Sequence, residues 1–249
     1  MSKLRNTEWR IDLAPEEAEQ VKAYIQKTSP WQVELHIGDD LKASDFGAHH
    51  RRFVKNPLVK VKMLENALPE GALEKLDILD VGYNYGYTGL YLGQKFGCKV
   101  TGIDVQPLYQ QTASFLAGLL GVDSEYLLED AHYFCRPEQF DLITHFGTLY
   151  HLRHPFLALE NSVKCLKPGG YIALETIIYT GESHLNKWIY GYNNDVSNFW
   201  ALHIETLESM MTISDCTLIN ILSMHHGKVM HTEEDKLARG TILFQKNKS

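Results

Sequence analysis

Between Leu76 and Ile178 short apolar runs alternate with longer stretches in which apolar side chains return every three or four positions. The runs Ile78–Val81, Val100–Ile103, Tyr126–Leu128, Phe140–Thr144 and Tyr171–Ile178 are compact and bounded by turn residues, which predicts the strands of a covered sheet. The stretches between them, Tyr87–Phe96, Leu108–Leu120 and one opened by Pro155, have the helical period. In the last of these Phe156, Leu159, Val163 and Leu166 are expected on one face, with Lys167-Pro168-Gly169-Gly170 as the stop. Strands alternating with helices predict right-handed crossovers and a parallel sheet. A helix over Ile204–Ile213 and two further strands, Leu218–Met224 and Gly240–Gln245, add an antiparallel pair at one sheet edge. The expected fold is α/β, a Rossmann-like seven-stranded, mostly parallel sheet with helices on both faces and an antiparallel edge strand.

Upstream, Pro15–Lys27 predicts a helix, with Pro15 and two glutamates at its start and Ala18, Val21 and Ile25 on one face. A half-buried strand over Gln32–Ile37 and a second helix over Pro57–Leu68 follow. Residues 1–72 are thus expected to form an accessory helical cap segment and residues 73–249 the main domain. Within that domain the period is lost over 179–203, where Tyr179, Trp188, Tyr190, Tyr192, Phe199 and Trp200 crowd together. This insertion reads equally as a packed cap and as a lid that touches substrate.

Composition narrows the setting. With 249 residues, 44% of them hydrophobic, the chain has material for one domain with a full core. A formal net charge of -7 gives no global pull toward phosphate backbones, although His49, His50, Arg51 and Arg52 make a local basic cluster. Cys98, Cys135, Cys165 and Cys216 lack the paired spacing of zinc ligands, so free thiols and no metal are expected. No apolar run reaches the ~20 residues of a membrane span, and Met1–Glu8 has no apolar signal core, so a cytoplasmic location without a membrane partner is expected.

The chemistry begins at the turn after the first run, Asp80-Val81-Gly82-Tyr83-Asn84-Tyr85-Gly86, and at Asp104, which ends the second. Glycines let a backbone approach a nucleoside, and an acid about 20 residues on accepts hydrogen bonds from ribose hydroxyls. A dinucleotide fold would want glycine where Asn84 stands, which weighs against an oxidoreductase and leaves room for a ligand without phosphate.

Taken in order, Asp80-Val81-Gly82 with Gly86, Asp104, Asp130-Ala131, Asp141 and Leu166-Lys167-Pro168-Gly169-Gly170 resemble class I S-adenosylmethionine-dependent methyltransferases over Leu76–Glu175. The resemblance implies S-adenosylmethionine as cofactor. Gly82, Asn84 and Gly86 would line its amino acid part, Asp104 its ribose, Asp130 and the Ala131 amide its adenine, and Phe146 and Gly147 would pass beneath the methyl. With Asp80, Val105 and Tyr150 these complete the implied cofactor set.

A narrower resemblance lies in Phe146–Pro155, Leu174-Glu175-Thr176 and Asn198-Phe199-Trp200, which are similar to the group containing the bacterial tRNA wobble-uridine carboxymethyltransferase. That enzyme uses a carboxylated cofactor, and a tyrosine and an arginine help hold the carboxylate. Tyr150 and Arg239 are the matching positions. The group's lysine comes from a longer N-terminal region that also contacts RNA, and no counterpart is evident in this chain.

Methyl transfer from a sulfonium needs alignment first and a base only where the acceptor carries a proton. His151 is the first candidate base, because histidine titrates near neutrality, with His145 and Tyr150 as further catalytic candidates. Trp31, Arg51, Arg52, Trp188, Tyr192, Trp200 and Arg239 would form an aromatic, mildly basic entrance for a planar or anionic small molecule. The expected function is methyl transfer to a small-molecule hydroxyl or nitrogen. Modification of the tRNA wobble uridine, by methyl or carboxymethyl transfer, is the first alternative. Nucleic acid is disfavoured as a partner because RNA binding usually needs a wider basic surface. A non-catalytic nucleoside-binding partner subunit is the second alternative.

Overall fold

The computed structural model describes residues 10–11, 13–28, 36–37, 41–42, 58–226 and 236–248. Among the described residues seven strands form the path of the main sheet: β1 (Asp77–Val81), β2 (Lys99–Asp104), β3 (Ser124–Leu128), β4 (Phe140–Phe146), β5 (Leu166–Tyr179), β6 (Cys216–His225) and β7 (Leu237–Lys246), and two short strands, Trp200–His203 beside β5 and Lys187–Trp188 beyond it, extend it off that path. Their spatial order is β6-β7-β5-β4-β1-β2-β3. The strands from β3 to β5 are mutually parallel, while β7 runs antiparallel to both β5 and β6. The order reverses at β1, which lies between β2 and β4, and such a switch point opens a crevice at the carboxyl ends of parallel strands.

Helices α1 (Pro15–Thr28), α2 (Leu58–Ala67), α3 (Tyr87–Phe96), α4 (Pro107–Leu120), α5 (Pro155–Cys165) and α6 (Ile204–Ile213) cover the sheet. Val21 and Ile25 of α1 and Val61 and Leu64 of α2 join α3 and α4 in one core cluster, so the upstream helices share the core of the main domain. Leu159, Val163, Leu207 and Met211 of α5 and α6 belong to a second cluster with Ile143, Ile172 and Phe244.

On α5 the observed buried face is Pro155, Ala158, Leu159, Ser162 and Val163, and Phe156 is exposed. Phe156 sits one position beyond Pro155, about 100° around a 3.6-residue turn, and therefore off the buried stripe. The fifth strand starts earlier than its apolar run, at Leu166, with a break in register across the Lys167–Gly170 turn.

His145, a catalytic candidate in the sequence, lies in the interior and away from the cavity described below. Phe146 lines the cavity described below, and strand alternation turns its neighbour His145 to the other face of β4, where its Nε2 lies 2.9 Å from Ser162 Oγ of α5. The ring is fully buried, and burial pushes its pKa down to about 3. A histidine in the unfolded chain protonates near 6.5, so this group's stabilisation is complete above that pH and is lost as pH falls toward 3. Urea unfolding should show stability falling by about 1.4 kcal/mol per pH unit below 6 from this residue, a slope that His145→Gln should flatten.

No helix among the described residues is long and apolar enough to cross a membrane. Cys98, Cys165 and Cys216 are buried thiols and Cys135 is exposed.

Candidate cofactor and acceptor site

A cavity of about 460 Å³ opens over the carboxyl ends of β3, β2, β1 and β4. At its centre is the loop between β1 and α3. Gly82 there has φ +70°, and a Cβ on it would fall 2.2 Å from Thr148 Oγ1, so only glycine lets the two loops close on each other. The Thr148 hydroxyl seals that contact by donating to the Val81 carbonyl at 2.8 Å. Asn84 has φ +54°, a left-handed conformation that asparagine tolerates better than most side chains. The departure from glycine therefore keeps the loop's shape. Asn84 Oδ1 accepts from the Tyr85 amide at 2.9 Å, and its own amide donates to Asp104 Oδ2 at 3.2 Å.

Asp104, at the end of β2, is held on its other oxygen by the Val105 and Gln106 amides at 2.7 and 3.1 Å. Burial raises its pKa against the pull of these three donors. Asp80, on the cavity wall, accepts from Thr144 Oγ1 at 2.7 Å, while its Oδ2 meets no donor in hydrogen-bonding geometry among the described residues. Burial lifts its pKa to about 6, opposed by the Thr144 hydroxyl and the Gly89 amide. A nucleoside with a nearby positive charge suits this set: an acid presented at a strand end, a tight glycine cradle, and a buried carboxylate oxygen without a bonded donor. S-adenosylmethionine has these features.

Asp130 and Ala131 border the cavity after β3. Asp130 Oδ1 takes the His132 amide at 2.9 Å and lies 2.6 Å from His132 Nδ1. The His154 amide donates to His132 Nε2 at 3.3 Å, which leaves Nδ1 as the protonated nitrogen and points its proton at Asp130. Val105, Phe146 and Gly147 also line the cavity. Gly86 and Tyr150 stand outside its wall. Gly86 caps α3 with φ +78° and packs where a Cβ would come within 2.8 Å of Ala113, so its place is in the packing of α3 on α4.

Tyr150 instead belongs to a charged cluster behind Gly147. Lys60 of α2, which borders the cavity, donates to Glu175 Oε2 at 2.7 Å. Arg239 of β7 donates from Nε to Glu175 Oε1 and from Nη2 to the Tyr150 hydroxyl at 3.1 Å, with its guanidinium 4.5 Å from the Tyr150 ring centre. Burial alone would raise the Glu175 pKa, but the two cations hold it at about 2. Arg239 is therefore an interior cation and no part of an exposed entrance. Lys60 was hidden in the sequence because it interrupts the apolar run of α2 as any solvent-facing lysine would.

Of the aromatic entrance, Trp188, Tyr192 and Trp200 lie away from the cavity wall, and Trp31, Arg51 and Arg52 fall outside the described residues. Trp188 and Trp200 face each other across a short antiparallel bridge with ring centres 4.8 Å apart, and Tyr192 packs against the cluster holding Tyr150 and Ile177. His151, Asp195 and Ser197 form part of the cavity wall instead. The last two sit in an irregular polar stretch with no spacing that singles them out.

A family model described as a methyltransferase domain matches residues 48–221. The tRNA U34 carboxymethyltransferase of Nautilia profundicola is 28% identical over 176 residues, 70% of this chain and 55% of that protein. The ubiquinone biosynthesis O-methyltransferase of Klebsiella pneumoniae is 26% identical over 183 residues, 68% of this chain and 73% of that protein. The chain spans about half the length of the tRNA U34 carboxymethyltransferases it matches first. Among solved structures, the 1,6-didemethyltoxoflavin-N1-methyltransferase of Burkholderia thailandensis, with bound S-adenosylhomocysteine, has a TM-score of 0.55 at 15% identity. The match covers 75% of this chain and 81% of that one and is a likeness of fold.

Proposed function

Since the chain belongs to the methyltransferase domain family, we propose that it is a class I S-adenosylmethionine-dependent methyltransferase that alkylates a hydroxyl or nitrogen of a small planar acceptor. The observation that carries this reading is the reach of one cavity from Asp104 and Asp130 across the switch point to His151 and Ser197. Cofactor groups fall at the first end and a titratable side chain at the second. In this reading Asp104 binds the ribose, Asp130 and Ala131 the adenine, and the Gly82–Asn84 turn the amino acid part. When bound, S-adenosylmethionine supplies an electrophilic methyl whose leaving group is already activated. The protein aligns the acceptor, excludes water and accepts its proton.

Incubation with methyl-labelled S-adenosylmethionine and a panel of phenols, catechols and N-heterocycles should place label in the small-molecule fraction, and unmodified tRNA should take up none. Label found in tRNA alone would overturn the choice of acceptor. S-adenosylhomocysteine at 100 times its Kd should stabilise the fold by about 2.7 kcal/mol, while nicotinamide dinucleotides should have no effect.

The Lys60–Glu175–Arg239–Tyr150 cluster supports a second reading. Two cations and a phenol converge beside Gly147, where an additional carboxylate on the cofactor would find charge-assisted donors. In this reading the carboxylated cofactor is used and the group transferred is carboxymethyl, as the name of the Nautilia relative states for that protein. Native mass spectrometry of the purified protein distinguishes the two by the mass of the ligand carried. The second reading requires Lys60→Ala to weaken the carboxylated form at least about tenfold more than S-adenosylmethionine itself.

A further inference from the structure

One residue holds the carboxylate that borders the cavity after β3. Oδ1 of Asp130 takes two donors from His132, the backbone amide at 2.9 Å and the ring Nδ1 at 2.6 Å. The direction of the ring bond is set from the far side of the imidazole, where the His154 amide donates to Nε2 at 3.3 Å and requires a lone pair there. The ring proton is therefore on Nδ1 and directed at Asp130. His132 is anchored in turn, since its carbonyl accepts from Asn161 Nδ2 of α5 at 2.6 Å. The Asp130 side chain is 46% exposed, and its Oδ2 takes no hydrogen bond among the described residues. Burial works to raise the pKa of this carboxyl, but the His132 amide and ring hold it below the usual carboxylate value, so it is ionised at neutral pH.

From this we infer that His132 is a positioning residue that fixes Asp130 with one oxygen saturated and reserves the other, Oδ2, for the amino group of the cofactor's base, which makes the pair the selector for a 6-aminopurine. The inference rests on the proposed reading in which Asp130 receives the adenine. A half-exposed aspartate in a loop has several rotamers and two equivalent oxygens. Two donors on Oδ1 remove that freedom before the ligand arrives, so its binding does not have to order the side chain. An ionised oxygen held in this way favours a base that brings an N–H to it, and a base without one covers the carboxylate and returns no bond. The support comes from across the cavity's edge. His154 caps the N-terminus of α5 and Asn161 lies within it, so the element after β4 orients the group that follows β3. The same bonds tie that loop to α5, and a purely structural role must be separated experimentally.

Isothermal titration calorimetry of the full chain with two ligands reads the selection directly: S-adenosylhomocysteine, and its analogue with hydrogen in place of the 6-amino group. The wild type should prefer the amino compound by about tenfold or more, the size of one hydrogen bond to a charged acceptor. His132→Ala should cut the preference to about threefold or less, with the affinity for the analogue changed by less than about twofold. His132→Asn keeps a side-chain N–H for Oδ1 and should restore most of the preference. A purely structural role would instead weaken both ligands alike and leave their ratio unchanged, which overturns the inference. Equal binding of the two ligands by the wild type overturns the assignment of adenine to Asp130 and the inference with it, whereas a wild-type preference that His132→Ala leaves intact overturns the role of His132 alone. Nitrogen-15 spectra of the histidine-labelled chain at about pH 8.5, assigned with His132→Asn, decide the matter if the alanine variant does not fold. They should show His132 protonated on Nδ1 and not on Nε2, and the opposite tautomer overturns the inference.

Discussion

Replacing Asp104 by alanine is expected to weaken S-adenosylhomocysteine binding by about 100-fold or more in isothermal titration calorimetry, because two hydroxyl donors to a carboxylate contribute about 1.5–3 kcal/mol each. The carboxylate is preorganised for that task. Three backbone amides, from Asn84, Val105 and Gln106, fix its orientation before any ligand arrives. The substitution therefore removes the acceptor and also releases the Asn84 turn from β2. Asp104→Asn, which keeps the shape and loses the charge, should cost about tenfold. An alanine variant with wild-type affinity would sink the assignment of Asp104 to the ribose.

Glu175→Ala should be the most destabilising single change in the site, by about 3–5 kcal/mol, since it leaves two cations facing each other without their shared anion. Glu175 is 4% exposed, and Lys60 and Arg239 both bond to it from other elements. For a chain of this size the loss corresponds to a Tm lowered by about 10 °C in thermal unfolding. Glu175→Gln retains the acceptor oxygen and should fall between the wild type and the alanine variant. The sign of the pH dependence follows from the depressed pKa. The carboxylate's stabilisation is complete above about 4.5, its value in the unfolded chain, and is lost as pH falls toward about 2. A Glu175→Ala protein as stable as wild type would show that the cluster adds nothing to the fold.

Much of this arrangement was legible in the order of residues. The central strands are apolar runs, and α3 and α6 span the ranges their periodicity predicts, because buried strands and one-sided helices must declare themselves in hydrophobic pattern. The acids at strand ends were legible for a similar reason: a carboxylate directly after an apolar run is placed at the sheet's carboxyl edge by the strand itself. Lys60 and Glu175 were less so. Their roles come from tertiary contact across 115 residues, which no local period records. His145 shows the opposite error. It stands in the same motif as His151, but the two-residue alternation of β4 sends it to α5, and a motif read as a string does not distinguish the faces of a strand. Ser197 became visible only once the insertion was folded against the turn that carries His151.

The insertion of β7 between β5 and β6 bears on the order in which the molecule assembles. Arg239 reaches Glu175 only after a strand more than sixty positions downstream has threaded antiparallel beside β5, and Lys60 reaches it only when α2 has docked from the other direction. Contacts this distant along the chain carry a large loop-closure cost and form late in folding. The charged cluster is therefore expected to close after the β1–β4 part of the sheet has formed. If Asp104 holds the ribose as proposed, refolding in the presence of S-adenosylhomocysteine should show ligand binding before the Lys60–Glu175–Arg239 contacts have closed.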